Sequence, residues 1–497
     1  MTRKKKLILN TITGVLKQLV TVICGFVLPR YLLLYYGSSV NGLLSSITHF
    51  LSFIALLDMG VGAVVQANLY KPLASKDNDQ ISRIIKSSKR FFRRLAYIFI
   101  CYIVVLCVVF PSIVDFGAWY TVSLLVIISI STLFQYLFGM TNQLLLNADQ
   151  KSYVQLLMQI GTIILNTGLA VLLMKAGASV HAVKLMTAVV YLLRPFGQMI
   201  YVRHHYKINT KIEVQGEPIK QKWNGFSQHL AAVVCQNIDV AVLTLFSTME
   251  NISIYSVYYN VTFGVQQIIM TAATGLESFF GNMIARNEKE KLLSTFSAVE
   301  WIIHTIVTMV FSIAAICIVP FVSVYTRGIT DANYIAPAFG VLLVLAYAVQ
   351  CLRIPYFRMI KAAGHFKETQ NGAYISAALN VIITVSAVYK FGLIGVAAGT
   401  LIAMLYHTCY FVWYLRKNII CRSELFFVKY MLTDTLIGVI SFAVSSILTS
   451  KCNTYFEWTI FACKTSAIVM LVSIIINTVF YRQQFKSTII LLRRQKS

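Results

Sequence analysis

The feature that most constrains this chain is a succession of fourteen apolar windows. They fall at roughly 7–34, 40–66, 95–111, 119–146, 153–174, 178–202, 225–247, 254–285, 297–325, 334–357, 368–389, 393–415, 425–449 and 456–481. A helix that crosses the hydrocarbon core of a bilayer needs ~20 apolar residues. Fourteen such helices use about 280 residues, and 58% of the 497 residues are apolar. Little remains to build a soluble core. Charged residues make up only 12%, against ~25% in soluble domains. A water-soluble enzyme, a disordered chain and a fibrous chain are excluded. The expected fold class is all-α, a polytopic membrane protein with fourteen transmembrane helices.

The cations test this topology. The net charge is +25, from 43 Lys and Arg against 18 Asp and Glu. With a cytoplasmic N-terminus and alternating helices, 33 of the cations fall on the inner side. Four fall outside (Lys175, Arg327, Lys390 and Lys451), and six lie inside windows (Lys17, Arg30, Lys184, Arg194, Arg353 and Lys464). Lys and Arg in short loops fix orientation by staying inside, so both termini are expected to be cytoplasmic. The charge then needs no nucleic-acid partner. The ten cysteines form no CxxC pair, and most sit in apolar windows, where they act as small apolar residues; no disulfide framework is expected. The basic start, Met1–Lys6, runs into a long apolar stretch without a small-residue cleavage site, which reads as a retained first helix.

The segment 78–95 has Ile81, Ile84, Ile85, Phe92 and Leu95 on one helical face and Arg83, Lys86, Lys89, Arg90, Arg93 and Arg94 around it. It reads either as a basic amphipathic helix on anionic membrane lipids or as the ordinary lead-in to the third helix. Sliding the chain by 215 residues pairs Gly60 with Gly275, Gln135 with Gln350, Ala148 with Ala363, Lys175 with Lys390 and Gly177 with Gly392. Six helices per repeat is an even number, so the two repeats share one orientation. The expected organisation is an N-lobe at 1–203, a cytoplasmic linker at 204–224, a C-lobe at 225–417, and two further helices with a basic cytoplasmic tail at 418–497.

No catalytic motif is present: there is no HExxH, GxSxG or GxxxxGK[ST], no paired-carboxylate loop, and no Cys/His cluster. The expectation is a non-enzyme with no cofactor and no metal. The informative residues are ionisable groups inside windows, since an unpaired charge at the bilayer centre costs at least ~2.5–3.5 kcal/mol. Lys17 lies deep in helix 1, while Arg30 either joins it or snorkels to the outer interface. In helix 2, Asp58 reads as a cavity carboxylate or as the structural partner of a cation. Helix 7 carries Gln236 and Asp239, and helix 8 carries Tyr259, Gln266, Gln267 and Glu277. Arg353 in helix 10 either turns inward or snorkels. Lys17, Arg30 and Arg353 would make a cationic interior that selects an anion; the amides and Tyr259 beside it suit a hydroxyl-rich group. Asp58, Asp239 and Glu277 are the candidates for gating or for H⁺ or Na⁺ coupling.

Leu28-Pro-Arg-Tyr31, Tyr36-Gly-Ser-Ser-Val-Asn-Gly-Leu43, Leu57-Asp-Met-Gly-Val-Gly62 and Asn68-Leu-Tyr-Lys71 carry a resemblance. With two six-helix lobes and two extra helices, the chain resembles the Wzx-like polysaccharide transporters of the MOP (multidrug/oligosaccharidyl-lipid/polysaccharide, MATE-like) superfamily. The resemblance implies a flippase of the bacterial cytoplasmic membrane that moves undecaprenyl-diphosphate-linked oligosaccharide by alternating access for surface polysaccharide assembly, beside other assembly proteins. It implies that cationic residues hold the diphosphate and that helices 13 and 14 help form a groove for the polyprenyl tail. The alternatives are a lipid II flippase, a cation-coupled multidrug exporter of the same superfamily, and a polytopic glycosyltransferase or polymerase.

Overall fold

The structure, a computed structural model, describes residues 3–58, 61–209, 212, 226–420, 422–448, 452–482 and 484. Side chains at 3, 4, 57, 58, 226–229, 231 and 232 lie outside that description. The described residues are helical almost throughout and contain no strand. This is what lipid demands, since a helix satisfies its own backbone polar groups without water. The chain is a multi-pass membrane protein. Eleven helices are long and apolar enough to cross a bilayer. Their outer faces are apolar: Val104, Val105 and Val108, for example, are exposed, which water would not tolerate in a contiguous band.

Two compact units divide the chain, Met1–Ser253 (unit 1) and Ile254–Ser497 (unit 2). Unit 1 holds α1 (Arg3–Ser52), α2 (Val61–Ser75), α3 (Asn78–Val109), α4 (Ala118–Phe134), α5 (Met140–Ala148), α6 (Ser152–Lys175), α7 (Val180–His205) and α8 (Phe226–Phe246). α9 (Met249–Ala272) runs from the end of one unit into the next. Unit 2 continues with α10 (Leu276–Ala285), α11 (Lys289–Tyr325), α12 (Pro337–Leu352), α13 (Ile354–Ala362), α14 (Gln370–Asn418), α15 (Leu425–Ser445) and α16 (Tyr455–Phe480).

The two longest helices are each broken by one glycine. Gly37 (φ 82°) interrupts α1 and Gly392 (φ 51°) interrupts α14, in backbone regions that only glycine enters cheaply. The expected fourteen spans correspond to counting α1 and α14 as two each and α8 as one.

The amphipathic lead-in at 78–95 is the N-terminal part of α3, not a separate helix lying on lipid. Asp77 caps it, its side chain accepting from the Gln80 N–H at 2.9 Å. Ile81, Ile84, Ile85, Phe92 and Leu95 are buried inside unit 1, where α3 packs on α2, α4 and α5. The apolar face is spent on protein, and only the basic face is left outward.

The internal repeat has backbone correlates. α2 begins at Val61 and α10 at Leu276, 215 residues apart. Gly177 and Gly392, also 215 apart, both have positive φ. A π-turn at Gln135–Gly139 separates α4 from α5, and Arg353, 215 beyond Phe138, separates α12 from α13. Gly60, the expected mate of Gly275, lies outside the described residues.

Candidate functional site

In unit 1 the sequence puts one cation in the middle of α1 and the fold brings a second to it. α1 packs on α6, and α6 on α7. Lys17 is half-buried and lies close enough to Arg194 for the two positive charges to repel. The Arg194 guanidinium is turned onto α6, where its Nε–H donates to Thr162 Oγ1 at 2.6 Å. It also stacks over the Tyr191 ring at 4.1 Å. Asn166 Nδ2 reaches Tyr191 Oη at 3.4 Å. Among the described residues, neither Lys17 nor Arg194 has a carboxylate partner. Neighbouring cations beside hydroxyl and amide groups have the chemistry to accept an anion that carries hydroxyl groups.

Arg30 is half-buried on the same helix. Thirteen residues along α1 place it roughly 20 Å from Lys17, so the two do not share one site. The Asp58 side chain lies outside the described residues. Gln236 is exposed on α8, whereas Asp239 is buried in unit 1. α8 packs on α1, joined by His49 Nδ1 to Asn237 Oδ1 at 3.0 Å and Ser46 Oγ to Thr244 Oγ1 at 2.5 Å.

Between α5 and α6, Asp149 accepts from Lys6 Nζ at 3.0 Å, Lys151 Nζ at 2.8 Å and Tyr206 Oη at 2.5 Å. Burial pushes this carboxyl up, but the hydrogen bonds from Lys151, Tyr206 and Lys6 outweigh it and leave the group below its ordinary value. The Tyr206 phenol is pushed up by burial and by the same carboxylate. The cluster ties the starts of α1 and α6 to the end of α7.

Unit 2 handles charge differently. Arg353 turns inward: its Nη1–H donates to His407 Nδ1 at 2.6 Å, and its head lies 5.8 Å from the Phe411 ring centroid. Glu277 is paired with Arg358 at 3.2 Å and Lys361 at 3.6 Å. Buried Gln266 donates to Gln350 Oε1 at 2.6 Å. Gln267 is half-buried. Tyr259 stacks with Tyr255 (5.8 Å) and Phe263 (5.2 Å) and meets Tyr347 edge-on.

An apolar groove also lies in unit 2. A cavity of 490 Å³ between α11, α12 and α15 is lined by residues such as Phe311, Leu345, Leu352 and Val439, with Asp434 at its edge. A second, of 840 Å³, continues it, sharing Ala315, Ile316, Val341 and Phe442. Together they follow α15 from Met431 to Ser446, roughly 23 Å of helix. α16 contributes only Phe461.

Three pairings were not visible in the sequence. Arg194 reads as a snorkelling cation until α6 is seen beneath it. His407 had no visible partner. Glu300, His304 and Asp434 carried a signal, because two ionisable residues one turn apart in an apolar window demand an explanation. No group of three or more metal-ligating side chains occurs among the described residues.

No family model and no curated protein matches the sequence. Solved structures do match. The lipid II flippase MurJ in an inward closed conformation superposes with a TM-score of 0.71 at 16% identity, over 96% of this chain and 100% of that one. An inward-facing multidrug resistance MATE transporter of the MOP superfamily gives 0.62 at 14% identity, over 81% and 96%. A eukaryotic MATE transporter gives 0.54 at 11% identity, over 94% and 98%. The chain therefore has the fold of the MOP-superfamily membrane transporters.

Proposed function

We propose that the protein is a flippase of the bacterial cytoplasmic membrane, with both termini inside. Its cargo is an undecaprenyl-diphosphate-linked oligosaccharide used in surface polysaccharide assembly. The observation that carries this reading is that Lys17 and Arg194 lie close enough to repel, without a carboxylate partner among the described residues. A diphosphate supplies the missing negative charge, and Thr162, Tyr191 and Asn166 offer hydrogen bonds to the sugar. The bilayer centre opposes a charged, hydrated head group; a cationic polar site lowers that barrier. The apolar groove along α15 suits part of an isoprenoid tail. Membrane potential favours outward movement of an anion by ~2.3 kcal/mol per charge per 100 mV.

A second cargo, lipid II, is supported by the likeness to MurJ, which extends over the whole of that chain. Depletion separates the two. Loss of surface polysaccharide with inward accumulation of its lipid-linked precursor supports the first cargo, and arrest of peptidoglycan synthesis with lipid II accumulation supports the second. Normal levels of both products and both precursors reject the flippase reading. In that case drug sensitivity on deletion points to an exporter, and sugar transfer by the purified protein to an enzyme.

A further inference from the structure

A continuous chain of polar side chains crosses the interior of unit 2. Glu300 and His304 sit one turn apart on α11, on a shared face, and are 2% and 1% exposed. The Tyr356 hydroxyl on α13 donates to Glu300 Oε1 at 2.6 Å. Arg422, just before α15, donates to the other oxygen of Glu300. His304 Nε2 lies 3.2 Å from Tyr356 Oη, and His304 Nδ1 lies 2.6 Å from Asp434 Oδ2 on α15.

Counting protons along this chain forces a conclusion. A tyrosine hydroxyl has one proton, and Tyr356 gives it to Glu300. Its oxygen can then only accept from His304, so Nε2 carries a hydrogen. The short contact on the other side of the ring needs a proton as well, on Nδ1 or on the carboxyl, because two bare acceptors repel. We infer that His304 and Asp434 hold one exchangeable proton between them, and that this proton governs the polarity of the apolar groove that Asp434 borders. The charges agree. One Arg422 balances one of the two carboxylates, and the shared proton balances the other, leaving the buried cluster neutral, as a low-dielectric interior requires.

The other groups facing His304 do not supply that charge. Tyr430 on α15 stacks on the ring at 4.9 Å, and Tyr481 stacks on Tyr430 with Lys429 above it. From α16, Asn477 accepts from the Trp301 indole at 2.9 Å. α12 brings buried Cys351, and Glu277 on α10 is held by Arg358 and Lys361 of α13.

Loss of the proton leaves an ionised Asp434 opposed to a bare imidazole nitrogen, so the carboxylate swings toward the groove. An apolar chain lying there resists an unpaired charge and favours the protonated pair. By reciprocity, protonation favours the chain. The occupant, a long isoprenoid or alkyl chain, rests on the flippase reading; the proton site does not.

The test uses the full chain, labelled with ¹³C-aspartate, in lipid nanodiscs, titrated by infrared spectroscopy with no head group and no transport. The wild type is expected to show a single event in which the aspartate and histidine signals change together. Asp434→Asn removes it, Asp434→Glu returns it at glutamate frequencies, and His304→Gln shifts it by about tenfold or more in proton affinity. Undecaprenol raises the proton affinity about fivefold or more, and Gly438→Phe, which fills the groove, abolishes that shift. If Asp434→Asn does not fold, the wild-type and Asp434→Glu titrations decide. An event unchanged in Asp434→Asn or His304→Gln, or absent from the wild type, overturns the proton site. A polyprenol shift that survives Gly438→Phe overturns the link to the groove. Failure of flipping with an intact titration rejects only the flippase reading.

Discussion

In unit 1, Lys17 and Arg194 repel one another with no carboxylate beside them among the described residues. In unit 2, Arg353 ends on His407, Glu277 takes Arg358 and Lys361, and Glu300 takes Arg422. The two units share a spacing, with α2 and α10 starting 215 residues apart, yet they use charge in opposite ways. A cation that answers an internal partner holds the fold together. A cation set against another cation costs stability, and is explained by a ligand that brings the opposite charge. That contrast is the reason the proposed anion site is placed in unit 1.

The sharpest way to break this contrast is in unit 2. Glu300→Ala leaves Arg422 without its buried partner, which should cost about 3–5 kcal/mol and abolish folded protein on size-exclusion chromatography. The double variant Glu300→Leu with Arg422→Met should recover most of that loss, since an apolar replacement of a buried pair is often near neutral. If Glu300→Ala unfolds at the wild-type temperature, unit 2 is not held by its charges. In unit 1, the counter-example is Asp149, a carboxylate that is used structurally. Asp149→Asn should cost about 1.5–3 kcal/mol. Because the folded value of Asp149 lies below the ordinary ~3.9, its contribution is complete above that pH and fades as pH falls through the lower folded value. Thermal unfolding against pH should therefore show an acid limb in the wild type that is shallower in the variant.

Much of the architecture was legible in the sequence because the signal was local. Span length, the loop cations and the glycines that break helices are properties of neighbouring residues, and α1 and α14 bend at Gly37 and Gly392, between windows. The pairings were not legible. Helical periodicity tells which residues share a face but not what that face meets. Glu277 was visible as a membrane carboxylate, while Arg358 and Lys361 lie on a helix 81 or more residues later. Lys17 was visible, and Arg194 next to it was not. The amphipathic face at 78–95 read equally well as lipid-facing or protein-facing, since Ile81 and Phe92 are apolar enough for either; only α2, α4 and α5 packed against it decide the matter.

A smaller effect tests whether the repeat is mechanical as well as historical. Gly177, just after α6, and Gly392, inside α14, both have positive φ. Alanine at either site should cost about 1–2 kcal/mol. Nothing lies within 4 Å of a Cβ at either position, so the cost comes from the backbone alone and should be equal within a few tenths. Unequal melting shifts of the two variants would mean that the turns carry different loads.

The smallest stability change belongs to the residue with the largest expected effect on function. Lys17→Gln removes a half-buried charge that faces Arg194, so repulsion is relieved and the melting temperature should hold or rise, by less than about 1 kcal/mol of stability. Binding of a diphosphate-bearing polyprenyl lipid should fall tenfold or more, because a charge-assisted contact is lost. The same exchange at Arg353 should do the reverse. His407 would keep an unanswered acceptor inside the protein, costing about 1–3 kcal/mol, with little change in the affinity for the lipid. Thermal shift and lipid-binding measurements on the two variants form a crossed design. A destabilised Lys17→Gln with wild-type binding would mean that Lys17 holds unit 1 together through contacts of its own. The imbalance of charge in unit 1 would then be a feature of packing, and the anion would have to be sought elsewhere.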